Sequence, residues 1–124
     1  VGIEVFESRV LLTGVVDLEK MRADAVRLAW KIENVKAVLN EIGIGSNSLM
    51  DTAKDSWVTT QLTSKMTFDK EILAINYSIE TVAGTVYLIG IAQNQTELDR
   101  VIAHARALGY VRKVISHVRV KKAS

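Results

Sequence analysis

The sequence predicts an α+β fold made of two copies of one small αββαβ module, each a three-stranded mixed sheet with its helices on one face. The first copy lacks the opening helix. Three observations carry this reading: a gapless self-match at an offset of 76 residues, the same order of strand and helix periods in each copy, and one extra helical pattern between them. At that offset Ile3 and Glu4 fall on Ile79 and Glu80, and Val10, Leu12 and Gly14 fall on Val86, Leu88 and Gly90. Ala29 meets Ala105, Val35 meets Val111 and Val38 meets Val114, so one register persists through a hairpin, a helix and a strand.

In the first copy a hairpin runs from Gly2 to Val16 with its turn near Glu7 and Ser8. Asp17 is the expected cap of a helix carrying Leu18, Met21, Ala25, Ala29 and Ile32, and Val35 to Ile42 reads as the closing strand. Gly43, Gly45, Ser46, Asn47 and Ser48 have linker composition. The expected modules are therefore residues 1–45 and 52–124, with a linker over 46–51.

The extra helix is expected over Thr52 to Thr67, with Thr52 and Asp55 at capping-box spacing. Strands follow at Ala74 to Thr81 and Thr85 to Ala92, joined at Val82-Ala83-Gly84. Asn94 then caps a helix with Glu97 three residues on, and Leu98, Val101, Ala105 and Leu108 form its apolar stripe. Gly109 is the expected left-handed terminus, and Val111 to Val120 closes the sheet. Apolar residues occupy both faces of the second hairpin strands: Tyr87, Ile89 and Ile91 oppose Val86 and Leu88, as Leu11 and Val15 do in the first copy. The copies are expected to pack together or the protein to form a homo-oligomer, and the uncovered first sheet calls for the second copy, another chain or further sequence.

Composition narrows the function classes. The 124 residues contain no cysteine and no proline, which excludes disulfides, thiolate metal sites and cysteine nucleophiles. No run approaches the roughly 20 apolar residues of a membrane-spanning helix. The chain begins at Val1 without a signal pattern or a lipid-accepting cysteine, so removal of an upstream segment is an expectation and lipid anchoring is unsupported. The net charge of +2 is unevenly spread: residues 1–99 carry 9 basic and 14 acidic side chains, residues 100–124 carry 7 basic and none acidic. Lys113, His117, Arg119 and Lys121 thus form a basic surface near the end, a solvated edge or a site for an anionic partner.

At about 100° per residue, Val58, Leu62 and Met66 form the core stripe of the extra helix. Trp57 lies roughly 140° from Leu62 on the same wheel, with Gln61, Ser64 and Phe68 near it. A tryptophan there either packs on a neighbouring element or anchors the protein at a lipid headgroup boundary, with Lys54 and Lys65 meeting anionic headgroups. Catalytic and metal readings find little: His104 and His117 have no carboxylate nearby in sequence, Asp51 and Asp55 are explained by their place near a helix start, and no phosphate-loop pattern follows Gly43 and Gly45. No catalytic site, metal or cofactor is expected. Nucleic acid is not the expected partner either, since the sheet lacks an aromatic pair for stacking bases and no Gly-rich loop joins helices.

The repeated plan resembles the BON domain of bacterial envelope proteins. The hairpin signature, Val-x-Leu-x-Gly, is present as Val10-Leu11-Leu12-Thr13-Gly14 and as Val86-Tyr87-Leu88-Ile89-Gly90. The Val-x-x-Val strand occurs as Val35 to Val38 and Val111 to Val114, and Asp55-Ser56-Trp57-Val58-Thr59-Thr60 is similar to the family's Asp-x-Trp-Ile/Val-Thr-Thr helix start. The closest arrangement is that of dual-BON proteins of Gram-negative bacteria, many periplasmic or attached to the outer membrane. The resemblance implies non-enzymatic binding of anionic phospholipid in the periplasm, in the setting of envelope integrity or osmotic stress. It places the lipid-facing element at Trp57, and at Gln61, Lys65 and Phe68 by their shared helix face. The alternative is a scaffold that oligomerises, or binds an envelope protein, through the Trp57 face and the apolar sheet.

Overall fold

Alternating apolar residues build a hairpin in each half of the chain, and a helix returns the chain so that a third strand pairs parallel to the second. The structure, a computed structural model, describes residues 1–45 and 49–122, without the side chains of residues 49 and 50. The chain divides into two compact units, Val1–Ser48 and Leu49–Ser124. In the first, β1 (Gly2–Phe6), β2 (Arg9–Val16), α1 (Glu19–Ala29) and β3 (Ala37–Ile44) give the sheet order β1-β2-β3. In the second, α2 (Leu49–Phe68), a 3-10 turn at Ala74–Asn76, β4 (Tyr77–Val82), β5 (Thr85–Ala92), α3 (Gln95–Arg106) and β6 (Lys113–Val120) give the order β4-β5-β6. Both sheets are mixed: the hairpins are antiparallel and the closing strands parallel.

The offset of 76 holds at the level of hydrogen bonds. Ile3 pairs with Leu12 as Ile79 pairs with Leu88, and Arg9 with Ala37 as Thr85 with Lys113. The N–H of Lys36 donates to Ser8 O at 2.8 Å, and that of Arg112 to Gly84 O at 2.8 Å. The hairpin turns are left-handed at Glu7 and Ser8 in one unit and at Ala83 and Gly84 in the other. The glycine of the Val-x-Leu-x-Gly pattern has a steric cause: Gly90 has φ +148°, and a Cβ there would lie 2.1 Å from the Asn76 carbonyl oxygen.

Two cores result. Val10, Leu12, Val16, Ala29 and Ile42 form the first. The second is larger, because α2 adds Val58, Leu62 and Met66 to Val86, Leu88, Leu98, Val101, Ala105 and Leu108. On the opposite sheet faces Leu11 and Ile89 are fully buried as well.

Several expectations are corrected. Leu18, not Asp17, is the N-cap of α1, and no side chain caps it. The left-handed residue after α3 is Tyr110 (φ 78°) rather than Gly109, matched by Asn34 (φ 66°) after α1; these turns delay β3 and β6 to Ala37 and Lys113. Residues 74–76 form the 3-10 turn, so β4 starts at Tyr77. Residues 46–48 of the expected linker lie outside the described residues, while 49–51 are already helical, so Thr52 and Asp55 stand inside α2 and not at its start.

Asp55 has a different task. Its buried carboxylate accepts from the N–H groups of Ala83 (2.8 Å) and Gly84 (3.0 Å), the two left-handed residues of the β4–β5 turn. One turn further on, the Thr59 and Thr81 hydroxyls meet at 2.8 Å. At the far end Asp69 receives Arg100 through Nη2 (2.9 and 2.8 Å) and Nε (3.1 Å), His104 Nε2 at 2.7 Å, and the N–H of Glu71 at 2.9 Å. His104, which has no carboxylate near it in sequence, thus joins α3 to the end of α2. The His104 bond first, then the Glu71 N–H and Arg100, outweigh burial and hold the Asp69 carboxyl down at about 2.

Glu97 also departs from the capping box. Asn94 Oδ1 accepts from the Glu97 N–H at 2.8 Å, as expected, but the Glu97 side chain turns inward. It accepts from the Tyr77 hydroxyl (2.5 Å), the N–H groups of Leu73 and Gln93 (both 3.3 Å) and the Gln93 side-chain amide. Burial favours the neutral acid, yet the bonds from Gln93, Tyr77 and Leu73 prevail and keep the Glu97 pKa below its ordinary value. Burial, reinforced by that carboxylate, pushes the Tyr77 hydroxyl far up.

Two stability measurements check these ties. Asp55→Ala leaves two turn amides without their charged acceptor and is expected to cost about 2–4 kcal/mol in urea unfolding, with Asp55→Asn losing about half of that. Asp69 has a folded pKa below its unfolded value, so its contribution is complete above about pH 4 and lost as pH falls toward 2. The stability difference between the native chain and Asp69→Asn should therefore shrink across that window.

Candidate functional site

The inward ties of α2 fix its rotation. With Asp55, Val58, Thr59, Leu62 and Met66 committed to the core side, Lys54, Trp57, Gln61, Lys65 and Phe68 fall within a sector of about 80° on another face, along about 21 Å of helix. Trp57 is 48% exposed and Phe68 83% exposed, while Lys54 and Lys65 are exposed and Gln61 is half-buried. In the Asp55-to-Thr60 stretch, Asp55, Val58 and Thr59 each have an inward partner, whereas Trp57 projects outward.

Lys54 is partly engaged within its own unit: its ammonium sits over the Tyr110 ring, 5.4 Å from the centroid. Burial first, then the Asp55 and Asp51 charges, raise the Tyr110 pKa. At the other end of the face, Lys65 and Phe68 border a shallow depression completed by Asp69, Lys70, Glu71, Arg100 and His104. Arg100 was missed in sequence because it comes to Phe68 only through the fold, while Lys70 stands just two residues after Phe68 and was legible from that spacing. The available signal was Arg100 and His104 four residues apart on α3, a spacing that lets both reach one carboxylate.

The basic final strand lies elsewhere. Val114, Val118 and Val120 pack on the helix side of the sheet, so Lys113, His117 and Arg119 point to the opposite face, and Lys121 follows just beyond the strand. Lys113, Arg119 and Lys121 are exposed and His117 is half-buried. The structure therefore does not bring this basic surface to the Trp57 face.

The first unit shows what α2 covers in the second. Ile79, Thr81, Glu97 and Leu108 are buried or half-buried, whereas their counterparts Ile3, Val5, Met21 and Ile32 are exposed, Ile3 and Val5 by 51% and 53%. Leu28, at the His104 position, joins this open apolar strip between β1 and α1. Among the described residues no helix is long and apolar enough to cross a membrane, and no group of three or more His, Cys, Asp or Glu is placed to hold a metal ion.

Comparison with known proteins places this arrangement. The BON domain family matches residues 1–46 and 54–122. The chain is 44% identical over 123 residues to "Uncharacterized protein in gshII 5'region" of Anaplasma centrale, covering 98% of this chain and 82% of that one. It is 35% identical over 112 residues to "Outer membrane lipoprotein DolP" of Haemophilus influenzae, covering 89% of this chain and 57% of that protein. Its identity to "Osmotically-inducible protein Y" of Escherichia coli is 24% over 124 residues, covering 98% of this chain and 62% of that protein. The chain thus spans less than two thirds of the length of these last two relatives. With family matches in both halves of the sequence, this chain belongs to the BON domain family.

Proposed function

We propose that the chain is a non-enzymatic module that attaches to anionic phospholipid surfaces in the bacterial envelope, on the periplasmic side and peripheral to the outer membrane, in support of envelope integrity or osmotic tolerance. The observation that carries the reading is the outward face of α2, where a half-exposed Trp57 and a nearly fully exposed Phe68 flank Lys65. Tryptophan suits the headgroup boundary because its ring is apolar and its indole N–H still needs a polar partner. Phe68 supplies apolar area, and Lys65 and Lys70 supply attraction to lipid phosphates. The basic β6 face acts only at long range in this scheme. The names of the relatives, an outer membrane lipoprotein and an osmotically inducible protein, agree with such a setting.

The expected strength follows from the number of contacts. Each lysine or arginine near an anionic surface contributes about 1 kcal/mol, so a few of them with one tryptophan give weak, salt-sensitive and reversible attachment. A second reading, a protein-binding scaffold, is favoured by the open apolar strip of the first unit, which has the side chains to receive an amphipathic helix.

Vesicle flotation tests the proposal. The native chain is expected to float with phosphatidylglycerol vesicles and not with phosphatidylcholine, and to detach at high salt. Trp57→Ala should lose flotation by about tenfold with its circular dichroism unchanged, because Trp57 lies outside the core. Flotation unaffected by salt or by Trp57→Ala would overturn the assignment of this face.

A further inference from the structure

The chain has two tryptophans, and the second one is also about half-exposed. Trp30 is the C-terminal cap of α1, with φ −66° and ψ −16°, and it is 52% exposed. Its exposure has a different origin from that of Ile3, Val5 and Met21, whose counterparts are covered in the second unit. The counterpart of Trp30 is Arg106, which is exposed there too. The fold therefore leaves this position to water in both units, and one unit places an arginine there and the other a tryptophan.

The surroundings of Trp30 are basic. On a wheel of about 100° per residue, Lys20, Arg27 and the cap residue Trp30 share a sector of about 80° on the side of α1 away from Ala25 and Ala29, which face the core, and Lys31 follows in the turn just beyond the helix. All four are exposed. The acids bordering this face are Asp24, which pairs with Arg27 at 3.1 Å, and Glu19, which pairs with Arg22 at 2.5 Å. Met21 and Leu28 point to the other flank, so this face is distinct from the open apolar strip. Three cations and one amphipathic ring along about 16 Å of α1 and the turn after it match an anionic headgroup layer, in which lysine stems lie against the acyl boundary and their charges reach phosphate.

We propose that the outward face of α1, with Trp30 as its anchor and Lys20, Arg27 and Lys31 as its cations, is a second contact with anionic phospholipid. This rests on the reading of the chain as a lipid-binding module and extends it: attachment is two-point, one point per unit. Each contact is weak, and their joint occupancy on one vesicle raises the apparent affinity beyond either alone.

Because Trp30 and Trp57 are the whole tryptophan complement, each can be made the sole reporter. Trp57→Phe leaves Trp30, and Trp30→Phe leaves Trp57, both with a ring at the altered site. Each variant is titrated with phosphatidylglycerol or phosphatidylcholine vesicles, with and without brominated acyl chains as quenchers. In the Trp57→Phe chain the Trp30 emission is expected to shift to the blue and be quenched by the brominated anionic vesicles alone. Lys20→Glu with Lys31→Glu should weaken that response by about thirtyfold or more. In the otherwise native chain, Trp30→Ala should lower vesicle affinity by about three- to tenfold.

A silent Trp30 alongside a responding Trp57, with affinity unchanged by Trp30→Ala, overturns the second contact and leaves the first intact. Silence of both tryptophans overturns both readings. A blue shift of Trp30 that grows with protein concentration without lipid, accompanied by a larger mass in light scattering, overturns the proposal in favour of a protein contact.

Discussion

The Asp55 carboxylate decides how α2 is rotated. The β4–β5 turn takes two consecutive left-handed residues, Ala83 and Gly84, and their N–H groups converge on the helix side with no strand to receive them. An ionised carboxylate satisfies both at once, which a neutral side chain of the same length does less well. Once Asp55 is pinned, Val58, Leu62 and Met66 follow at the helical repeat into the core. The second tie, from Asp69 to Arg100 and His104, stops the far end from swinging away from α3. With Asp55 and the core stripe facing inward, Trp57 and Phe68 fall on the exposed side of the helix.

The two units use one backbone plan with opposite side-chain solutions beneath the helix position. In the second unit Tyr77 and Glu97 form a buried polar pair, satisfied from four directions. At the same places the first unit has Val1 and Met21, and Leu28 stands where His104 reaches for Asp69. The first unit could not reuse an identical helix, since an acid at the Asp69 position would meet Leu28 rather than two cations. Leaving side chains such as Ile3, Val5 and Leu28 half-exposed forfeits on the order of 1 kcal/mol each. Covering that strip with an apolar surface would recover part of this free energy.

What the sequence made legible was whatever repeats or alternates locally. The hairpins, the α3 stripe and the β5 and β6 faces are set by short periods, and the 76-residue offset held down to single hydrogen bonds. What stayed hidden were long-range polar choices. Asp55 and Glu97 both sit at spacings that satisfy local capping rules, and in both cases a buried backbone amide or hydroxyl elsewhere competes for the carboxylate and wins. His104 looked solitary because its acid is 35 residues away. Gly109 misled for a related reason: the left-handed position is fixed by where the chain must turn to reach β6, and Tyr110 holds it because the ring gains burial and a contact with Lys54. The outward residues of α2 were legible because a helical wheel needs only the core stripe. The separation of the β6 basic face from them was not, because it depends on which side of the sheet the helices occupy.

Alternation along a single helix also separates stability from binding. The residues that hold α2 down and those it presents outward never coincide: Asp55, Val58, Thr59 and Leu62 look in, Trp57, Lys65 and Phe68 look out. A surface built this way can change its ring or its charge with little effect on the core, since exposed positions away from special features carry stability effects near zero. The same logic applies on α1, where Ala25 and Ala29 are small enough to pack tightly on the sheet and leave the outward positions unconstrained. Trp57 and Trp30 stand at such positions, each with about half of its surface in water.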